Sequence, residues 1–384
     1  MSKSVGTAVP LEGGRWWQGV CLSVVVTLFF GSVAWGKVLG PCVNCHTMHN
    51  SQDGASVVDV TLGAQSALTT SDCVGCHSND AETIKDLGGG SRVPIVYTSN
   101  EPNLVQGTPT SMLAGGNFYW VVADDSKGHN VFGIVGSDGV LNNAPGGILG
   151  GSGGNSSCVD CHGSLATPGS GCKGCHLPAH HADDSALVVD AAHGSYRFLG
   201  NVMGAVPSIG SVQGMVFGVK GIEDTDWEQT VASNDHNIYE GQTDLYRKQL
   251  VSPPNLASIG QMCAGCHGDF HHAMNTAQEG DGNDVSGAWI RHPSDVLLPD
   301  SGEYAAYTEY NPLAPVAKVG LDASMQNTEV VIPGADVVTC ISCHRPHGSP
   351  YPDMLRWNYD NCVAGVGGDA ANECGCFVCH TAKD

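Results

Sequence analysis

Seven copies of one short pattern, Cys-x-x-Cys-His, hold most of the residues in this chain that can do chemistry. Two residues separate the thiols in each copy, and an imidazole follows the second thiol directly. Zinc sites and redox-active thiol pairs need no histidine at that position. Haem c does, because its two vinyl groups take one thiol each and the adjacent imidazole then reaches the iron. The pattern therefore predicts seven covalent c-type haems, and it disfavours zinc or disulfide sites. The motifs span residues 42–46, 73–77, 158–162, 172–176, 263–267, 340–344 and 376–380.

The motifs define the predicted attachment residues and the first iron ligands. The cysteines that would carry the haem c groups are Cys42, Cys45, Cys73, Cys76, Cys158, Cys161, Cys172, Cys175, Cys263, Cys266, Cys340, Cys343, Cys376 and Cys379. The motif histidines that would bind the irons are His46, His77, His162, His176, His267, His344 and His380.

Each iron also needs a ligand on its other face, and the histidines outside the motifs outnumber the irons. We therefore expect bis-histidine ligation throughout, which gives lower potentials than His/Met ligation. Met48, Met262 and Met274 are the methionine alternatives near motifs. The predicted second ligands are His49, His129, His180, His236, His271, His292 and His347. The choice within the adjacent pairs stays open, so the remaining candidates are His181, His193 and His272.

Some second histidines follow a motif closely. His347 comes three residues after His344, and His180 comes four after His176. Such a short stretch of chain reaches at most ~14 Å. If the second histidine binds another iron, it therefore holds two haems close together, as an electron path requires.

Two cysteines remain in the body of the chain. We expect Cys362 and Cys374 to form a disulfide that closes a short loop, because an exported protein matures in an oxidising compartment. A longer-spaced haem attachment through Cys374 is the alternative.

Residues 1–36 are predicted to be a signal peptide. Lys3 and Arg15 provide positive charge, Val20 to Ala34 form an apolar run, and Gly36 ends a small-x-small cleavage site. The apolar run falls short of the ~20 residues that span a bilayer, although an uncleaved anchor is the alternative. We expect cleavage after Gly36 and no membrane span in the mature chain.

Composition limits the partners and the fold. The net charge of −22 repels phosphate backbones, so nucleic acid is excluded as a partner. With 52 glycines, 14% charged residues and spacers rich in turn signals, little regular structure is expected. Residues 37–384 are predicted to form one multihaem cytochrome c region. It would be mostly loop, with short helices and few short strands, wrapped around a chain of stacked haems. We expect the motifs on single helical turns and strands at Val131–Val135 and Val212–Val219.

The surroundings of the motifs resemble the outer-surface multihaem c-type cytochromes of metal-reducing bacteria, the cytochrome nanowire proteins. The resemblance runs in the same order along nearly the whole mature chain. It is carried by Cys45 to Ser51, Gly128 to Asn130, Tyr196 to Gly200, Cys263 to His271, Arg291 to Pro293, Cys340 to His347 and the terminal Cys-His-Thr-Ala-Lys-Asp.

The resemblance implies bis-histidine haems stacked within a loop-rich fold. It also implies that His49 is donated to a haem of a neighbouring subunit in a filament. By the same likeness His129, His271, His292 and His347 are ligands within the subunit. The chain departs from the family in its extra motif at 172–176 and in lacking Pro-His after the third motif. His180 or His181, beside the inserted haem, is expected to replace that missing ligand.

The predicted function is electron transfer by seven bis-histidine haems to extracellular acceptors, such as metal oxides, partner cytochromes or copies of the chain itself. The alternative is a multihaem reductase of nitrite, hydroxylamine or a sulfur oxyanion, which needs one open haem site. Every motif ends in histidine, so we expect an electron carrier and not an enzyme. We expect it outside the cell or on the outer membrane surface, with the periplasm as the alternative.

Overall fold

Single turns of helix and strands of two to five residues, joined by long loops, make up the chain in the computed structural model. All the described residues belong to one structural unit, Ala34–Asp384. The predicted signal peptide, the third motif, His271 and His272 lie outside the described residues. Those residues are 37–58, 61, 63–141, 144–145, 165–168, 170–183, 185–200, 218–230, 232–243, 257–264, 266–267, 292–365 and 374–383.

The helices of this part of the chain are short. The α-helices are Cys73–Cys76, Tyr119–Ala123, Ile259–Ala264 and Gly375–Cys379. The 3-10 turns are Cys42–Asn44, Asp125–Lys127, Gly171–Gly174, Ala191–His193, Tyr196–Phe198, Gly302–Tyr304, Ala323–Met325, Cys340–Ser342, Pro352–Met354 and Tyr359–Asn361. None of the helices formed by the described residues is long and apolar enough to cross a bilayer.

Each motif in the described ranges lies on one helical turn, as predicted. The backbone N–H of every motif histidine donates to the carbonyl of the first motif cysteine, at 2.8 to 3.0 Å. Residues four apart share a face of a helix. The turn therefore brings the first thiol and the imidazole to the same side.

The strands form small separate sheets. A three-stranded antiparallel sheet joins Val188–Val189, Gly221–Ile222 and Ile238–Tyr239. The other antiparallel pairs are Ser51–Gln52 with Ala55–Ser56, Ile84–Gly88 with Ser91–Pro94, and Val296–Leu297 with Val337–Val338. Ser78–Asn79 pairs in parallel with Tyr97–Thr98. The predicted loop-rich fold with short helices and few short strands is confirmed.

The strand prediction at Val131–Val135 is wrong. The backbone N–H groups of Ile134 and Val135 both donate to the Val131 carbonyl at 3.1 Å, which is a turn. Gly133 has φ +95°, a left-handed conformation that ends an extended run. The run is apolar because Val131 is buried, not because it pairs with a sheet. At Val212–Val219, only the last two residues are described, and there Gly218 makes an isolated bridge to Gly200.

Apolar packing is divided among several clusters. One cluster surrounds Tyr307, Tyr310 and Val338, and a second surrounds Tyr239, Ala317 and Ile341. Val337 and Val338 are neighbours in one strand and belong to different clusters, so this strand connects the two.

A close backbone approach fixes the segment after the sixth motif. Gly116 has φ +90° and forms a parallel bridge with Gly348. A Cβ on Gly116 would lie 2.1 Å from the Gly348 carbonyl oxygen, so only glycine fits. The Gly115 carbonyl accepts from the backbone N–H of His347 at 2.8 Å. The glycines therefore set the position of a predicted iron ligand.

Replacing Gly116 by alanine is expected to lower the free energy of unfolding by about 2–4 kcal/mol, because it adds a steric clash to an unfavourable left-handed backbone. Gly88→Ala is the matched control, since Gly88 has φ +79° with nothing within 4 Å of a built Cβ. It should cost only about 1 kcal/mol. Urea unfolding of the haem-loaded proteins measures both, and equal losses would contradict the role given to the Gly116–Gly348 contact.

Candidate haem centres

In each described motif the histidine ring is held in place by a hydrogen bond from the same ring nitrogen, Nδ1. In each described motif Nδ1 lies 2.7 to 3.2 Å from an oxygen acceptor, which leaves Nε2 for a metal. Metal-binding histidines usually donate their other ring N–H to a carbonyl or carboxylate in this way. The partners are the carbonyls of Leu68, Pro94, Arg197, Pro145 and Asp353 for His46, His77, His176, His267 and His344, and the Glu303 carboxylate for His380.

Five motif histidines face a second histidine at a nearly constant distance. The ring centroids of these pairs are 5.9 to 6.3 Å apart. A metal binds an imidazole nitrogen at about 2 Å, and that nitrogen lies about 1 Å from the ring centre, so trans imidazoles have centroids about 6 Å apart. The donor set therefore fits bis-histidine haem iron. The pairs are His46–His181, His77–His180, His176–His347, His267–His129 and His380–His292.

The structure brings four of the predicted second ligands beside a motif histidine. They are His129, His180, His292 and His347. The carbonyls of Pro346 and Pro293 lie 2.8 and 2.9 Å from Nδ1 of His129 and His292, so these rings share the orientation of the motif histidines.

Sequence reasoning did not select His181. Its ring centroid lies 5.9 Å from that of His46, with 22° between the ring planes, while the neighbouring His180 lies 6.3 Å from His77, with 18° between the planes. Two adjacent histidines thus reach two different motifs. The signal was present in the sequence, because a His-His pair begins four residues after the last residue of the inserted fourth motif.

His236 has a different environment from the other predicted ligands. Nδ1 lies 2.8 Å from the Asn237 carbonyl and Nε2 lies 3.0 Å from the Thr328 carbonyl. The ring stacks on Tyr310 with centroids 3.3 Å apart. Both ring nitrogens face backbone oxygens, and this arrangement does not favour His236 as an iron ligand.

His49 and His193 lie apart from the pairs within the described residues. His49 is exposed, and its Nδ1 is 2.7 Å from the Gln65 carbonyl. His193 contacts the carboxylate of Asp190 at 2.7 Å. The remaining candidates, His162, His271 and His272, lie outside the described residues.

Burial keeps several of these imidazoles neutral, which is the form that binds iron. It lowers the pKa of His347 to about 3, assisted by the nearby His176 ring. Burial also lowers the pKa of His129, His176 and His344. Phe118 stacks on the His347 ring at 4.8 Å and contributes to this apolar setting.

The motif thiols show which motifs adjoin one another. Burial and a neighbouring thiol raise the pKa of Cys76, Cys172, Cys175 and Cys343, and for Cys340 a hydrogen bond with Cys263 is the largest cause. The thiols that influence one another are Cys45 and Cys76, Cys73 and Cys172, Cys175 and Cys266, Cys263 and Cys340, and Cys343 and Cys376. The described motifs therefore follow one another in space in their order along the chain.

A buried positive charge lies beside the sixth motif. Arg345 directly follows His344, and burial together with the nearby Arg356 lowers its pKa to about 9. Its guanidinium donates to the carbonyls of Leu113 and Ala114, while Nε is buried and has no acceptor in the part of the chain that the structure describes. An unpaired buried donor of this kind fits an anionic group such as a haem propionate.

The predicted disulfide between Cys362 and Cys374 is present, with the Cα atoms 5.2 Å apart. The disulfide uses Cys374, so this cysteine is not available for the alternative of a haem attachment with longer spacing. Cys376 and Cys379 both remain free thiols, as the seventh motif requires.

Comparison with known proteins agrees with this chemistry. The family model described as a doubled CXXCH motif matches residues 333–384. The chain is similar to the C-type cytochrome OmcS of Geobacter sulfurreducens, with 27% identity over 378 residues, covering 83% of this chain and 78% of the relative.

Two solved structures of that cytochrome also match, one of the Outer Membrane Cytochrome S filament and one of the OmcS nanowires of Geobacter sulfurreducens. Identities are 19% and 20%, TM-scores are 0.42 and 0.43, and each match covers 84% of this chain and 85% of the solved chain. The motif surroundings predict a resemblance to the multihaem c-type cytochromes. The sequence similarity to OmcS confirms this prediction.

Proposed function

We propose that this protein transfers electrons through seven covalently bound c-type haems. The observation that carries the proposal is the set of five histidine pairs with ring centroids 5.9 to 6.3 Å apart, each containing one motif histidine. Haem iron supplies reversible one-electron chemistry when bound. The chain's own residues hold the group by two thiols, bind the iron from two sides and orient each imidazole.

The five histidine pairs favour an electron carrier over a reductase. A reductase needs an iron with a free position for its substrate. In each pair the two imidazoles would occupy both faces of a bound iron and leave no free position. For His344, no second histidine ring lies at this distance within the described residues, and we assign its other ligand to a histidine outside them.

The order of the motifs supports a continuous electron path. Thiols of successive described motifs influence one another, so the haems they carry are neighbours. Two histidines that follow one motif in the sequence and lie beside the histidine of another motif also support a continuous path. His180 follows the fourth motif and serves the second, while His347 follows the sixth and serves the fourth.

We further propose that the chain polymerises through His49. The ring is exposed, and the Gln65 carbonyl holds Nδ1, which leaves Nε2 for an iron of a neighbouring copy. Met48 beside it is 72% exposed and Val58 is 55% exposed, so exposed apolar side chains occur in the same segment as His49. The relative OmcS is described as forming nanowires. Extracellular metal oxides and partner cytochromes are the proposed acceptors, and the outer membrane surface is the proposed location.

Intact mass and spectroscopy test the electron-transfer function. The mass should correspond to the chain from Lys37 with seven haems, and electron paramagnetic resonance of the oxidised protein should show low-spin iron only. Redox titration should be fully reversible. Fewer than seven haems would refute the count, and a high-spin ferric haem with turnover of nitrite or hydroxylamine would establish the reductase instead.

Substitution of single histidines tests the pairs. His181→Ala and His180→Ala should each convert one haem in seven to a high-spin form, because each removes one imidazole from an iron. His193→Ala is the control, since His193 contacts Asp190 and should leave every haem low-spin. Resonance Raman spectra report the spin state, and an unchanged spectrum for His181→Ala would exclude the His46–His181 pair.

Polymerisation has its own test. His49→Ala should abolish filaments in electron micrographs and leave monomers by size-exclusion chromatography, because the ligand between copies is lost. Met48→Ala alters the same surface without removing a ligand, and it should weaken assembly at most. Filaments of normal length from His49→Ala would contradict a bond between copies through this residue.

A further inference from the structure

Three sulfur atoms lie together at the start of the seventh motif. Cys362 and Cys374 form a disulfide, and Cys376 is the first thiol of the motif. Sγ of Cys376 lies 4.0 Å from Sγ of Cys362, and all three sulfurs lie within 4.8 Å of one another. A thiol that is predicted to carry a haem therefore lies beside two cysteines that belong to no motif.

Close packing holds the three sulfurs in place. Cys374 has no exposed surface, and it belongs with Trp357 to one apolar cluster. Cys362 and Cys376 pack against the same cluster. Gly375 separates Cys374 from Cys376, and a Cβ on Gly375 would lie 2.2 Å from the Trp357 ring, so only glycine lets the chain pass this ring. The positions of the two flanking cysteines are therefore set by the packing.

Cysteines this close together can oxidise to a disulfide in an exported protein. A free Cys362 thiol beside the Cys376 thiol would form an S–S bond with it, and two electrons and two protons would pass to a disulfide-bearing oxidant, which becomes a dithiol. Cys376 would then have no thiol to add to a haem vinyl group. In the structure this reaction lacks one of its two thiols, because Cys362 is bonded to Cys374.

We propose that the Cys362–Cys374 disulfide keeps Cys376 available for haem attachment, by holding the two neighbouring sulfurs in a bond with each other. This role rests on the proposed attachment of a haem to the seventh motif. It differs from simple loop closure, because the disulfide protects a reactive group as well as a conformation. The protection acts before the haem is attached, since a thioether at Cys376 can no longer form a disulfide.

Exchange with the existing disulfide is the remaining route by which the Cys376 thiol could be lost. The Cys376 thiolate would attack Sγ of Cys362, a new S–S bond would join these two residues, and Cys374 would leave as a thiolate, with no net oxidation. Burial raises the pKa of the Cys376 thiol, which lowers the fraction of the attacking thiolate. Cys376 also lies beside the S–S bond, within 4.8 Å of both its sulfurs, whereas attack requires a sulfur in line with the bond. The native pairing is therefore expected to persist until the haem is attached.

Haem counts of disulfide variants test the proposal. The full chain is produced in a bacterium that exports it and attaches c-type haems, and its intact mass is measured without a reducing agent. Cys374→Ser leaves Cys362 as a free thiol next to Cys376. Most molecules of this variant should lack one haem. Peptide mass spectrometry should then find no haem on the seventh motif and a disulfide between Cys362 and Cys376.

The double variant, Cys362→Ser with Cys374→Ser, is the matched control. It has the same change at Cys374 and lacks the same disulfide, but it has no free thiol beside Cys376, so it should carry as many haems as the wild type. A full set of haems on Cys374→Ser, or loss of the seventh haem from both variants, would overturn this proposal and leave the proposed function intact. A wild type without a haem on the seventh motif would refute the proposed haem count and this proposal together.

Discussion

An iron bound by two imidazoles requires their rings to lie about 6 Å apart on opposite sides of the metal. That distance governs the architecture, because the two histidines of a pair come from distant parts of the chain. His129, which lies between the second and third motifs, meets His267 of the fifth motif, and His176 and His347 meet across nearly half the chain. Extended sheets or long helices are not needed to hold them. Backbone carbonyls that accept from Nδ1 fix each ring, and loops supply carbonyls wherever they pass.

The rest of the fold follows from the bulk and charge of the cofactors. Apolar side chains gather in separate clusters and not in one central core, which suits a chain whose largest apolar surfaces are haem faces. Buried Arg345 and Arg356 have carbonyl partners, and the positive charge that they bring beside the sixth motif would suit a haem propionate. The Cys362–Cys374 disulfide closes the last loop directly before the seventh motif.

The sequence predicts the local structure of the motifs, but it does not predict which histidine lies beside which motif. The motif turns and the disulfide follow from residue type and short spacing, and so does the choice of His180 and His347, which come soon after a motif. His129 and His292 lie within the spacers, and they were predicted from the surplus of histidines and from the family resemblance. His181 was missed because one-dimensional reasoning treats adjacent histidines as competitors, whereas in space they reach separate motifs. The Val131–Val135 strand prediction was wrong for a related reason, since the segment forms a turn that buries Val131 and leaves Phe132 exposed. Which histidine faces which motif depends on contacts between distant segments that no local pattern encodes.

The spatial order of the motifs has a consequence for biosynthesis. Because the described motifs adjoin in chain order, haems attached in that order would each lie next to the previous one. The second histidines of the pairs do not follow the order of the motifs along the chain. The partners of His46 and His176 lie later in the sequence, at His181 and His347. The partner of His267 lies earlier, at His129. A haem held by the first motifs before the later segments had folded would therefore have one protein ligand only, so the late segments that carry His181 and His347 would complete the early haem sites.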